Sequence, residues 1–170
     1  MGETKVNLRH LLEDLRDGYP FPVEETILTE LVANALDSRA SGIKFIADPR
    51  ARTLSVVDNG EGMSNKTFQE YHDIASTTKE RGKGIGFAGV GAKLALLSAV
   101  EIITETRKAH YHSATRWRLR SERHAPWELV APPGRVQTAG GTAITIVFRD
   151  GSPLLGPDFL SRQLRRHFYP

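Results

Sequence analysis

Residues 82–91 read GKGIGFAGVG, and AKLALLSAV follows directly at 92–100. Five glycines in ten residues strip the backbone of side chains where an apolar helical segment begins. Backbone N–H groups in such a run can approach an anion closely, and the positive end of the following helix adds attraction. The stretch predicts a phosphate cradle; a plain surface loop is the competing reading.

Two polar clusters lie upstream. In TELVANALD, Glu30, Asn34 and Asp37 fall within about 60° of one another on a helix turning about 100° per residue. Ile27, Leu28, Leu31, Val32, Ala35 and Leu36 form the apolar arc. The second cluster, Asp58-Asn59-Gly60-Glu61-Gly62-Met63, follows the apolar run Thr53 to Val57 and puts a carboxylate at a strand end before a tight turn. Taken singly, the first reads equally as a solvated helix face and the second as a hairpin turn.

The order of the clusters is more specific. An acidic and amide helix, a strand ending in Asp-x-Gly-x-Gly, a glycine-rich loop opening a helix, and Gly140-Gly141-Thr142 before AITIVF together resemble the four nucleotide-site boxes of the GHKL ATPases. That superfamily contains DNA gyrase B, the Hsp90 chaperones, sensor histidine kinases and the MutL proteins. The resemblance covers about residues 20–150. Gly86-Phe87-Ala88-Gly89-Val90-Gly91 has the G-x-x-G-x-G form seen in Hsp90. Ala75-Ser76-Thr77-Thr78-Lys79 is similar to the lid segment of MutL and MORC proteins.

The resemblance implies ATP or ADP as ligand with Mg²⁺, and each residue can be given a chemical task. Hydrolysis of a γ-phosphate needs a positioned water and a proton acceptor, and Glu30 is the candidate general base. Asn34 offers a carbonyl oxygen to Mg²⁺, a cation that takes few protein ligands when phosphates supply the rest. Asp37 shares that face and would act through ribose or metal-bound water. Asp58 would accept from the adenine N6 amine, where guanine presents an oxygen instead. Gly62 would leave room for the base, Met63 would supply an adaptable apolar wall, and Thr142 would bond Asp58 or the base. Gly86, Gly89, Val90, Gly91 and Ala92 would meet the phosphates with backbone N–H groups. Thr77 and Lys79 would contribute from a lid spanning Ser76 to Lys83, with Lys83 and Lys93 as further candidate cations.

Length and composition fit one domain: 170 residues, 39% hydrophobic and 25% charged. Residues 1–20 read as a leading helical segment, 21–150 as the nucleotide-binding core and 151–170 as a C-terminal helical segment. GHKL ATPases usually continue into another domain, so the chain is expected to be the N-terminal part of a longer protein. No apolar run approaches the roughly 20 residues of a membrane helix and no signal-peptide pattern is present, which reads as cytoplasmic. The absence of cysteine removes disulfide and thiolate chemistry.

Charge is uneven. Residues 1–106 hold 12 Lys/Arg against 16 Asp/Glu, and residues 107–170 hold 11 against 4. The basic half invites a nucleic-acid reading, with Arg116, Arg118 and Arg120 alternating along an expected strand. A solvated strand face that resists edge pairing explains the same pattern.

The local patterns predict helices near 5–17, 24–38, 65–72, 90–99 and 157–168. Strands are expected near 43–48, 53–58, 100–106, 111–120, 127–131 and 142–148, and a lid-like stretch at 75–85. The fold class is α+β: a two-layer α/β sandwich, with a mixed, mostly antiparallel sheet covered by helices on one face. The resemblance makes this the Bergerat fold.

Competing functions rest on other residues. Gly84-x-Gly86-x-x-Gly89 matches a dinucleotide fingerprint, with Glu105 after the next apolar strand, but 77–83 is too polar for the buried strand that motif requires. No P-loop motif is present. A histidine-kinase-type domain shares the superfamily, with His10 as the one histidine placed upstream. A non-hydrolysing, nucleotide-dependent interaction module is the other alternative. On the main reading the domain turns over slowly alone, and homodimerisation belongs to the longer protein.

Overall fold

The structure, a computed structural model, describes residues 6–74 and 90–169. The lid, with Thr77 and Lys79, and the first part of the glycine run, with Gly86 and Gly89, lie outside these residues.

The elements follow the order α1 (Leu8–Asp17), α2 (Val23–Asp37), β1 (Ile43–Asp48), β2 (Thr53–Asp58), α3 (Asn65–Glu70), α4 (Gly91–Ala95), β3 (Ala99–Lys108), β4 (Tyr111–Trp117), β5 (Trp127–Val130), β6 (Gly140–Phe148) and α5 (Pro157–Phe168). A short 3₁₀ turn, Pro153–Leu155, precedes α5. The six strands form one sheet in the order β1-β2-β6-β3-β4-β5. Every pairing among them is antiparallel. Among the described residues there is thus no parallel βαβ unit of the kind a dinucleotide fingerprint requires.

Alternation along each strand separates two sheet faces. Leu54 and Val56 of β2, Ile144 and Ile146 of β6, Ile102 of β3 and Trp117 of β4 point to the helix side, where they meet Ile27, Leu28 and Leu31 of α2, Leu12 of α1 and Leu94 of α4. This inner layer is the core. The opposite, outer face carries Lys44, Ser55, Val57, Ala143, Thr145 and Glu105, as the register requires.

Helix α2 forms because no glycine or proline interrupts 23–37, while Glu24 and Glu25 sit in its first turn, where carboxylates suit the helix dipole. Its amphipathic reading needs one correction. Glu30 is only 5% exposed while Leu36, assigned to the apolar arc, is 39% exposed. The helix packs against both the sheet and α4, so burial follows tertiary neighbours as well as the apolar stripe.

Helix α4 is shorter than expected, ending at Ala95. Leu96, Leu97 and Ser98 continue in tighter turns, bonding to the carbonyls of Lys93, Leu94 and Ala95. The expected 111–120 strand stops at Trp117; the chain then loops back, with Arg118 N–H on the Pro126 carbonyl and Arg120 N–H on that of His124. The basic stripe is largely neutralised within the fold. Arg118 Nη2 lies 2.8 Å and Arg116 Nε 3.4 Å from Glu101 Oε2, and both arginines also approach Glu128. Among the described residues no helix is long and apolar enough to cross a membrane.

Candidate functional site

Four separate segments converge on one inner-face cavity of about 270 Å³. The end of α2 contributes Asn34, Asp37 and Ser38; β2 contributes Val56 and Asp58; the following turn contributes Gly62 and Met63; β6 contributes Thr142 and Ile144. Six residues singled out in the sequence, Asn34, Asp37, Asp58, Gly62, Met63 and Thr142, therefore share a wall. Leu31, Thr67 and Tyr71 complete the apolar side. A wider groove of about 540 Å³ lies on the outer face, lined by Lys44, Val57 and Arg135 among others. Its Lys44 and Val57 are register partners there; it shares Asp58 with the smaller inner cavity, where Asn34, Asp37, Gly62, Met63 and Thr142 also collect.

Asp58 is held by its own turn. Its Oδ1 accepts the Gly60 N–H at 2.8 Å and the Thr142 N–H at 3.3 Å. Burial pushes its carboxyl pKa up, and those N–H groups with the Ser38 hydroxyl pull it partly back. Thr142 thus meets Asp58 through its backbone rather than its hydroxyl. The turn itself tolerates no side chain. Gly62 has φ +68°, and a Cβ there would sit 1.9 Å from the Arg107 carbonyl oxygen. Gly141 has φ +150°, and its Cβ would meet the Asp58 carbonyl oxygen at 2.3 Å. Met63 N–H donates to Thr106 Oγ1 at 2.8 Å, tying the turn to β3.

Glu30 stands one helical turn before Asn34, packed against the start of α4. A Cβ on Gly91 would fall 2.2 Å from the Glu30 Cβ. That glycine is what lets α2 and α4 touch. Tyr19, in the connection before α2, donates its hydroxyl to Glu30 Oε1 at 3.4 Å. Burial first, then the Glu30 carboxylate, pushes the Tyr19 phenol pKa up. Val90 and Ala92 are buried beside Gly91 at the beginning of α4. Lys93 is buried too; its Nζ donates to the Asp73 carbonyl, and burial lowers its pKa.

Tyr71, Thr67 and Ser38 are site residues that the sequence patterns do not single out. Ser38 carries a usable signal, four residues after Asn34 on the same helical face. Tyr71 reaches the cavity because Phe68, His72 and Trp117 pack around it, with ring centroids 5.0–6.2 Å apart. Such a cluster has no sequence period.

The fold, and a cavity built from these segments in this order, can be set beside known proteins. The family model described as "Histidine kinase-, DNA gyrase B-, and HSP90-like ATPase" matches residues 22–142. The chain is 30% identical over 162 residues to the chaperone protein HtpG of Methylococcus capsulatus, covering 75% of this chain and 25% of that protein. It is 28% identical over 171 residues to HtpG of Cupriavidus taiwanensis (81% and 26%) and 29% identical over 180 residues to HtpG of Nitrosospira multiformis (85% and 27%). The chain thus spans about a quarter of the length of these relatives. The matched segment runs from the start of α2 to Thr142 and takes in Glu30, the Asp58 turn and the glycine run, so the chain belongs to the histidine kinase-, DNA gyrase B- and HSP90-like ATPases, the GHKL type.

Proposed function

We propose that the inner cavity binds the adenine and ribose of ATP, with Mg²⁺, and that Glu30 activates water for slow hydrolysis. The observation that carries this reading is the convergence of Asn34, Asp37, Asp58, Gly62, Met63 and Thr142 on one cavity. Its volume lies just under the roughly 300–1,000 Å³ of ordinary ligand pockets. That suits a base and sugar, with the phosphates running on toward Gly91 and the glycine run before it.

The residues present fit both groups. Asp58 places an acceptor where an adenine amine would donate, between the apolar walls of Val56, Met63 and Ile144. Among the described residues no cluster of three or more His, Cys, Asp or Glu could hold a metal by itself. A magnesium held by Asn34 and nucleotide phosphates needs no such cluster. When bound, the metal would neutralise phosphate charge. Asn34 would hold it by its amide oxygen, and Asp37 would orient a coordinated water. Glu30, buried against α4, would take the proton of the attacking water as the bond to the ADP oxygen breaks. Gly86, Gly89, Val90, Gly91 and Ala92 would supply N–H groups to the phosphates, with Thr77 and Lys79 reaching in from the lid.

The relatives that the chain matches are named chaperones. We propose that in a longer protein this domain uses ATP to drive a conformational and dimerisation cycle of that kind, in the cytoplasm. The test is calorimetric titration with ATP and GTP in the presence of Mg²⁺. ATP should bind with 1:1 stoichiometry and GTP at least about tenfold more weakly, since guanine would face Asp58 with an oxygen. Equal affinities would remove Asp58 from its role.

A further inference from the structure

On the outer face of the sheet, the segment joining β5 to β6 (residues 131–139) folds back as a strap. Nearly all of it is exposed; Val136 alone is buried, at 2%. It is fastened by one carboxylate. Glu105 of β3 accepts the Arg135 N–H on Oε2 at 2.8 Å and the Val136 N–H on Oε1 at 3.3 Å. His112 Nε2 lies 2.8 Å from the same Oε1 and donates to it when it carries the ring proton. Glu105 is itself 1% exposed, and its register neighbours on both sides are small and buried, Ala143 on β6 and Ala114 on β4. Those two alanines leave the space in which the strap lies.

The strap runs directly into Gly140, Gly141 and Thr142. A Cβ on Gly141 would meet a Val136 methyl at 3.2 Å on one side and the Asp58 carbonyl oxygen on the other. Thr142 N–H is the second donor to Asp58 Oδ1. An unbroken chain of contacts thus leads from Glu105 on the outer face to the adenine end of the inner cavity. A buried carboxylate with three donors is a costly group to place in a sheet unless its contacts do something.

We propose that Glu105 is a positioning residue for the nucleotide site. By pinning the strap it holds Gly141 and Thr142, and through them the Asp58 turn, in the shape that receives the base. Nucleotide affinity is thereby made sensitive to whatever loosens the strap on the far side of the sheet. The proposal rests on the reading of the inner cavity as the nucleotide site.

The experiment compares ADP affinity, thermal unfolding and amide hydrogen exchange in the parent chain, Glu105→Ala, Glu105→Gln and Thr145→Val. Glu105→Ala should weaken ADP binding about tenfold, and Glu105→Gln, which keeps one acceptor, about threefold. Both should speed exchange at the Arg135, Val136 and Thr142 amides. Thr145→Val breaks a buried outer-face bond, Ser55 Oγ to Thr145 Oγ1 at 2.8 Å, away from the strap. It should lower the unfolding temperature and leave ADP affinity unchanged. Parental affinity in Glu105→Ala despite fast exchange at Arg135 and Val136 overturns the proposal. So does an equal loss of affinity in Thr145→Val, which would make the effect one of general stability. If the parent chain binds no ADP, the reading of the cavity fails, and the Thr142 amide alone judges the latch: exchange unchanged by Glu105→Ala refutes it. Should Glu105→Ala not fold, Val136→Ala loosens the same strap and must raise both Thr142 exchange and the ADP dissociation constant.

Discussion

The two ends of the site are built differently. The end proposed for adenine is backbone meeting backbone: Gly62 against the Arg107 carbonyl, Gly141 against the Asp58 carbonyl, and Asp58 fixed by the Gly60 and Thr142 N–H groups. The Glu30 end is side chain against helix. Glu30 leans on Gly91 at the start of a five-residue helix, too short to carry much of a dipole. An end set by main-chain contacts is hard to deform; an end set by a side chain against a five-residue helix yields more easily. On the proposed reading, the base would be met by the more rigid of the two ends.

The sharpest way to break this contrast is at the glycines. Gly62→Ala puts a methyl group into the Arg107 carbonyl at a positive φ and should cost about 3 kcal/mol or more, because two main-chain segments must separate. Gly134→Ala offers the comparison. Its φ is also positive, +77°, but nothing lies within 4 Å of the added Cβ, so roughly 1 kcal/mol is expected from the backbone conformation alone. Urea unfolding of the two variants measures the difference directly. Gly91→Ala should fall between them, at about 1–3 kcal/mol, since α4 can shift away from Glu30. If Gly91→Ala were the most damaging of the three, the Glu30 end would be the rigid one.

A further effect is expected with pH. His72 stacks on Trp127 at 4.3 Å between centroids and bonds Thr115 Oγ1 at 2.9 Å, directly behind the Tyr71 wall of the cavity. Burial pushes its pKa down from 6.5 to about 4. The unfolded chain therefore binds a proton that the folded one refuses between these values. Stability contributed by neutral His72 is fully present above pH 6.5 and is lost as pH falls toward 4. Unfolding curves at pH 7, 5.5 and 4.5 check this, and His72→Phe should flatten that part of the profile. An unchanged slope would mean that another group dominates.

Much of this contrast is legible in the amino-acid sequence. β1 and β2 fall on the residues that the local patterns assign, helped by pairing with each other as a short local hairpin. The ordered glycines and carboxylates stand out because each obeys a local rule: Asp at a strand end, Gly at a positive φ. What escapes depends on partners far away in sequence. The α4 terminus is misplaced by pattern because Leu96 to Ser98 keep an apolar helical spacing while tightening into turns. Tyr71 owes its place to an aromatic cluster drawn from α3, β4 and β5. Glu105 looks like a strand-end carboxylate suited to a ribose; only the antiparallel register shows it facing away from the cavity, under the strap.

On the proposed reading, base recognition belongs to Asp58 and its turn, independently of Glu30. This assignment is tested most directly by measuring ADP affinity calorimetrically, with Mg²⁺, for the parent chain, Asp58→Asn and Glu30→Gln. Asp58→Asn should lose about 1–3 kcal/mol, because one buried hydrogen-bonding group is reversed. Glu30→Gln should keep parental affinity while any ATP turnover falls about 100-fold or more. A loss of ADP affinity in Glu30→Gln as large as that in Asp58→Asn would contradict it.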